Sequence, residues 1–297
     1  MFHLFGNLLT SYGTAANNHG ENEGNLAPLQ KLFWKGEPHT TVSAEAIRWA
    51  LRYYWQKAGY RVNRSWDDNV NKFVWENPDF DAASFIDDDV LGFMRAEAAK
   101  LEASDQPKEK GKKAPKGTTT ARRGVLEVTR AVSTAPFVGD FSKNAVGGQK
   151  GRNSLYSTEV HATRYQHGFA LTPDRLKDKS RIHAVLDGLI SIGEVAGNHA
   201  RFLFDFSPES IVLRWTHDFS PRFLYCFEED ETGEVLVPDL VRRVGAGDID
   251  PKELWIGGAI SETLGDFGAN VFPGVKSAVE ALKQVIAEDL QLSSRSS

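Results

Sequence analysis

Near the start of the chain, two groups of residues have the types and spacing to hold a sugar–phosphate backbone. The first is the polar run Asn17-Asn18-His19-Gly20-Glu21-Asn22-Glu23-Gly24-Asn25. Asn and Gly tolerate left-handed backbone and leave amide N–H groups free to meet an anion. The second runs from Ser43 to Arg52, with Arg48 and Arg52 four residues apart. That spacing sets two guanidinium groups one helical turn apart, and a helix N-terminus at Ser43 adds partial positive charge. Lys31 lies between the two groups. His19 with Glu21 and Glu23 has donor types suited to a cation, but a polar loop satisfied by its own amides accounts for the same residues.

A third group lies further along. Lys143, Lys150, Arg152 and Arg164 flank a Gly/Lys/Asn-rich stretch that contains Phe137 and Phe141. Aromatic rings beside cations suit unpaired bases, each stack being worth about 1–3 kcal/mol. Packing of both rings against a neighbouring element is an equal reading. Other chemistries lack their residues. There is no His-Glu-x-x-His pair, Gly-x-Ser-x-Gly elbow, phosphate-binding loop or dinucleotide fingerprint. On a regular strand His161 and His167 would share a face but stand about 20 Å apart, too far for one metal. Cys226, in an apolar strand-like run, reads as a buried inert thiol.

These groups need elements to position them. Residues 2–10 read as a strand. Ser43 caps a helix through about Lys57, with Gly59 as its stop, and Ile47, Leu51 and Tyr54 on one face. Residues 60–123 read as an insertion. In it, Asp87-Asp88-Asp89 precede a helix predicted over Val90–Leu101, and a Lys/Pro/Gly-rich basic loop follows. Val125–Val132 and Leu155–Leu171 read as strands enclosing a hairpin. Ser180–Val195 reads as a helix, 201–206 and Ser210–Thr216 as strands, Phe223–Phe227 with Glu234–Val237 as a hairpin, and Gly274–Leu290 as a closing helix. The order predicts a single α+β domain with a ferredoxin-like βαββαβ core, helices on one face of a mainly antiparallel sheet. Many RNA-recognition modules share that core.

Composition sets the outer limits. The 297 residues are 41% hydrophobic and 25% charged, a soluble globular balance. One cysteine rules out an intramolecular disulfide and a cysteine-cluster zinc site. Neither a signal-peptide pattern nor a membrane-length apolar run is visible, which predicts a cytoplasmic protein. The net charge of −5 argues weakly against nucleic acid. Its distribution is uneven, however. Residues 64–105 hold eleven acids against four bases, and 108–152 eleven bases against three acids. A local polyanion site is therefore compatible with an acidic chain.

Residues 6–10, 17–25, 29–32, 42–52 and 197–210 resemble the DevR-type family of CRISPR-associated proteins, the repeated backbone subunits of type I-B Cascade complexes. A weaker likeness runs from Trp255 to Gly274. The resemblance implies a modified RNA-recognition fold in which copies stack head to tail along a CRISPR guide RNA (crRNA), beside other Cascade subunits. The guide bases stay available to pair with target DNA, in antiviral defence or RNA-guided transposition. A thumb hairpin over 134–157 folds over the RNA, and the helix carrying Ser43, Arg48 and Arg52 holds its backbone. Lys31 stands where the family has a basic residue, and His19 where an arginine is frequent. The resemblance implies a non-catalytic protein with no cofactor, metal or membrane partner. The RNA-binding residues expected are Asn17, Asn18, His19, Lys31, Ser43, Arg48, Arg52, Phe137, Phe141, Lys143 and Arg164. The alternative is an RNA-processing endonuclease of the same superfamily, with His19 in an acid–base pair. A structural assembly protein without RNA is a third.

Overall fold

β1 (His3–Thr10) is buried along its whole length, so a single amphipathic alternation does not describe it. Leu4 and Leu8 enter one core, and Phe5 and Leu9 enter another. The strand is therefore central in its sheet and covered on both faces. The computed structural model describes residues 1–15, 23–96, 119–145, 155–195, 203–265 and 268–292.

Eight further strands complete the main sheet: β2 (Lys31–Trp34), β3 (Glu37–Val42), β4 (Leu126–Val128), β5 (Ala131–Ser133), β6 (Tyr165–Leu171), β7 (Pro208–Thr216), β8 (Leu254–Gly258) and β9 (Asn270–Phe272). Their order is β9-β8-β7-β1-β6-β5-β3-β2, with β4 also beside β6. All neighbours are antiparallel except β8 and β9. The α+β expectation therefore holds, with few helices and one large sheet.

α1 (Ala44–Lys57) begins where the sequence places it. The Ser43 hydroxyl accepts a hydrogen bond from Ala46 N at 3.1 Å, Glu45 occupies the first turn and Lys57 the last. Gly59, at φ +83°, follows the helix end. Ile47, Ala50, Leu51 and Trp55 form its buried stripe. The stripe meets α3 (Arg181–Leu189), where the Trp55 indole donates to Ala184 O at 2.9 Å. A Cβ on Gly188 would stand 2.3 Å from Leu51, so glycine sets how closely these helices approach. α5 (Val275–Asp289) adds Ala278, Val279, Leu282 and Ile286 to the structure's interior. The opposite sheet face lies under Phe223, Cys226, Phe227, Val237, Ile249 and Leu240 of α4 (Pro238–Gly245). Asn7 and Gln166 pin this cover: Asn7 Oδ1 accepts from Tyr225 N, while Gln166 binds both N and O of Phe227. Two buried amides thus find backbone partners, as burial requires.

The insertion differs from its prediction. Two ribbons, Arg64–Asp67 with Lys72–Trp75 and Gly92–Ala96 with Thr119–Arg123, flank the short α2 (Ile86–Val90). Strand, not helix, thus follows Val90. Most of the expected basic loop falls in 97–118, outside the described residues. The ribbon packs through rings rather than aliphatic side chains. Trp49 stacks on Tyr53 and meets Trp66 edge-on, and Trp66 meets Phe73. Trp75 meets Phe80, which stacks on Phe93 with centroids 4.4 Å apart. The Arg64 guanidinium covers Phe73 and Trp75 at 5.2 and 4.9 Å.

The three aspartates sit in the first turn of α2 rather than before a helix over Val90–Leu101, and they are buried there. Asp87 accepts from Asn63 N, Arg64 N and Arg52 Nε. Asp88 accepts from Asn63 Nδ2 and Asp81 N, and burial is the main cause of its raised pKa. Asp89, wholly buried, accepts from Lys177 N, Arg122 Nη2 and Arg181 Nη1. A sequence stretch that reads as an acidic surface is in part an internal knot between the insertion, α1 and α3.

Candidate nucleic-acid interface

An RNA-recognition sheet offers one face to its ligand. Here the sheet face away from α1 and α3 is closed by Phe223, Cys226 and Phe227, which leaves the edges and loops as the surface open to a ligand. The described residues bring several expected groups together at one edge.

β2 is the edge strand, and its burial alternates: Lys31 and Phe33 point outward, Leu32 and Trp34 are half-buried. Lys31 Nζ binds Glu159 and sits 4.7 Å from the centroid of the Phe137 ring. The Phe137 ring meets His161 edge-on at 5.5 Å, and Phe137 N donates to Pro38 O at 2.7 Å. Beyond Phe137, Phe141–Ala145 pairs antiparallel with Leu155–Glu159, and the latter runs parallel to Leu26–Ala27. A paired arm thus overlaps the segment 134–157 where a hairpin is expected and extends to Glu159. Residues 146–154 lie outside the described residues. Phe141 is 52% exposed on this arm, Val138 is 90% exposed, and Lys143 is exposed.

Asn17, Asn18 and His19 also lie outside the described residues. The strands bracketing them do not. Gly13–Ala15 pairs with His161–Thr163, and Leu26–Ala27 with Ser157–Thr158. The described strands on either side of the Asn-rich run are therefore tied to the root of the arm, close to Lys31 and Phe137.

Four other expected residues are occupied elsewhere. Ser43 spends its hydroxyl on capping α1. Arg48 is half-buried and donates from Nη2 to Leu126 O at 2.9 Å. Arg52 is 7% exposed and paired with Asp87 at 3.2 Å. Burial, then the charge of Arg64, lowers its pKa to about 10 despite Asp87. The helical spacing is right, but this arginine points into the protein, where a phosphate cannot follow. Arg164 bridges Glu209 and Glu229 and lies over the Tyr12 ring. It ties the sheet to the covering segment.

No protein-family model matches the chain. A curated protein of Myxococcus xanthus (strain DK1622), described as CRISPR-associated protein Cas7/Cst2/DevR, is 46% identical over 301 residues. The match covers 94% of this chain and 96% of that protein. The chain belongs to the Cas7/Cst2/DevR family. Two solved structures share its fold. A chain described as CRISPR RNA-guided surveillance complex, pre-nicking, has a TM-score of 0.59 at 11% identity, covering 96% of this chain and all of its own. A chain of a CRISPR RNA-guided surveillance complex has 0.56 at 14% identity, with 96% and 99% covered.

In this Cas7/Cst2/DevR chain the candidate edge includes residues with no distinctive sequence signal. Glu159 holds both Leu29 N and Lys31. Thr40 joins His161 Nδ1 and the Tyr165 hydroxyl, each at 2.7 Å. Only the pairing of distant strands brings them together. His161 and His167 are not on one regular strand, because the chain leaves His161–Thr163 before entering β6. Among the described residues no group of three or more His, Cys, Asp or Glu has metal-site geometry, and none of the described helices is long and apolar enough to cross a membrane.

Burial lowers the pKa of both His161 and His167 to about 4, with a Pro136 carbonyl hydrogen bond opposing it in part at His161. In the unfolded chain a histidine titrates near 6.5. Below that pH the unfolded state takes up protons that the folded state refuses. Stability is thus full above pH 6.5 and falls as the pH drops toward 4, by on the order of 3 kcal/mol per histidine. Urea midpoints measured between pH 7 and 4 should show this fall. His161→Asn should make the fall about half as steep, because His167 still contributes; an unchanged slope would mean His161 is solvated.

Proposed function

We propose that the chain is a guide-RNA-binding backbone subunit of a type I-B CRISPR surveillance complex. Copies line up along the guide, alongside other subunits, and leave its bases to pair with target DNA. The observation carrying this is the convergence of Lys31, Phe137 and the Phe141–Glu159 arm with the described strands on either side of the Asn-rich run. A cation, one exposed and one half-buried ring, and an Asn-rich run at one edge suit a single strand held by its phosphates and stacked bases. Family membership and the fold shared with chains of RNA-guided surveillance complexes support the same reading.

The core that carries this edge reads as ferredoxin-like. Along the chain, β1, α1, β4/β5, β6, α3 and β7 follow βαββαβ order. In space the strands run β7-β1-β6-β5, all antiparallel. The role is binding, not cutting, and needs no cofactor.

Co-expression with a CRISPR array tests the reading. The expected product is a large particle with a nucleic-acid spectrum and discrete protected RNA after ribonuclease treatment. Lys31→Ala with Lys143→Ala should weaken binding of all RNA sequences alike. It should also lower the salt slope by about 0.7 per lost phosphate contact. An RNA-free monomer would overturn the proposal. Cleavage of repeat RNA, lost on His19→Ala, would replace it with the endonuclease.

A further inference from the structure

Phe33 is 82% exposed, and its place makes that exposure informative. Scattered apolar residues on a surface need no explanation. An exposed phenylalanine on an open edge strand is different, because such an edge invites pairing with other chains and proteins normally blunt it. The edge does carry lysines. Lys31 and Phe33 share the outer face of β2, as residues two apart on a strand do. Lys35 follows in the tight turn with Gly36, at φ +50° and +92°. Lys31 pairs with Glu159 and also donates to the Leu29 carbonyl at 3.4 Å, and Lys35 pairs with the exposed Glu228. Ion pairs of this exposed kind are weak, so a phosphate can replace the Glu228 partner of Lys35.

Phe33 is also in line with the proposed RNA edge. Its cross-strand partner is Pro38, and the Pro38 carbonyl takes the hydrogen bond from Phe137 N. Phe33, Pro38 and Phe137 therefore form one row across three neighbouring segments. At about 4.8 Å per segment the two phenylalanine backbones lie roughly 10 Å apart. The Lys31 ammonium lies over the Phe137 end of the row.

We infer that Phe33 is a second base-stacking platform, taking an unpaired base of the bound single strand one step beyond Phe137, with Lys31 and Lys35 beside the flanking phosphates. A ring beside a cation on one strand face, with a second cation in the adjoining turn, is the chemistry that holds a base by its π-face without reading its identity. This rests on the RNA-binding reading above.

Phe33→Ala and Phe33→Trp test it with the full chain and a single-stranded RNA of arbitrary sequence. Phe33 supports no core, so both variants should unfold with the wild type. Phe33→Ala should bind about five- to 150-fold more weakly, the loss of one base stack, with an unchanged salt slope because no charge is removed. The new indole of Phe33→Trp should lose fluorescence when RNA is added. If the wild type binds RNA while Phe33→Ala binds equally well and the indole is not quenched, this inference fails and the RNA-binding reading stands. If Phe33→Ala alters oligomer size and leaves affinity unchanged, the face belongs to a second copy of the chain and the inference also fails. If the wild type binds no RNA, both fail.

Discussion

Asp89→Ala should lose about 3–5 kcal/mol of stability, the cost of breaking a buried ion pair and leaving its partner charge uncompensated. Asp89 is fully buried and receives Arg122, Arg181 and two backbone N–H groups, from Lys177 and Asp178. Arg181 also binds the carbonyls of Ala82 and Ala83, so it cannot swing into solvent without further loss. Removing the carboxylate leaves two cations and two backbone N–H groups without their shared acceptor. The loss is a large share of the roughly 5–15 kcal/mol that holds a domain together. Asp89→Asn keeps acceptor oxygen and shape, so it should lose less. Denaturant midpoints of the two variants measure this. A shift below about 1 kcal/mol for Asp89→Ala would mean the knot is solvated like a surface pair.

The second large effect is expected at Arg52. Arg52→Ala leaves Asp87 buried beside Asp88, with only the Asn63 and Arg64 amides to hold its charge. A cost of about 3–5 kcal/mol follows from the same rule. The helical spacing alone predicts something else: weaker binding of every RNA and a shallower salt dependence. The two outcomes separate cleanly. In conditions where the variant is folded, its RNA affinity and salt slope should match the wild type while its denaturant midpoint falls. Combining Arg52→Ala with Asp87→Ala should cost less than the sum of the two, because the pair acts as a unit. A reduced salt slope with an unchanged midpoint would restore Arg52 to the RNA.

The contrast between these two arginine readings shows where a sequence is legible. α1, α5 and β7 could be read because a cap, an apolar period or an alternating run is local. Ser43 and Gly59 bound α1 within one short window. The partner of Arg52 is 35 residues away, and those of Asp89 are up to 92 away. No local pattern distinguishes an arginine that leaves the protein from one that enters it. The acidic triplet was legible only in part: acids favour a helix N-terminus and these three do occupy the first turn of α2, but their burial with arginine leaves no mark in one dimension. β1 reads as a strand, yet nothing in eight residues says that both faces are covered. At the candidate interface, Lys31 and Phe137 were visible by type and resemblance. Phe33, Glu159 and His161 became visible only once β2, β3 and the arm were set side by side.

The covered sheet also separates what selection can change from what it must keep. β1 lies between two cores, and neither core includes Phe33, Phe141 or Lys143. Substitutions at those exposed positions lie outside the packed interior, and effects at sites without shared partners usually add. The recognition edge can therefore be retuned for another ligand while folding stability stays where it was.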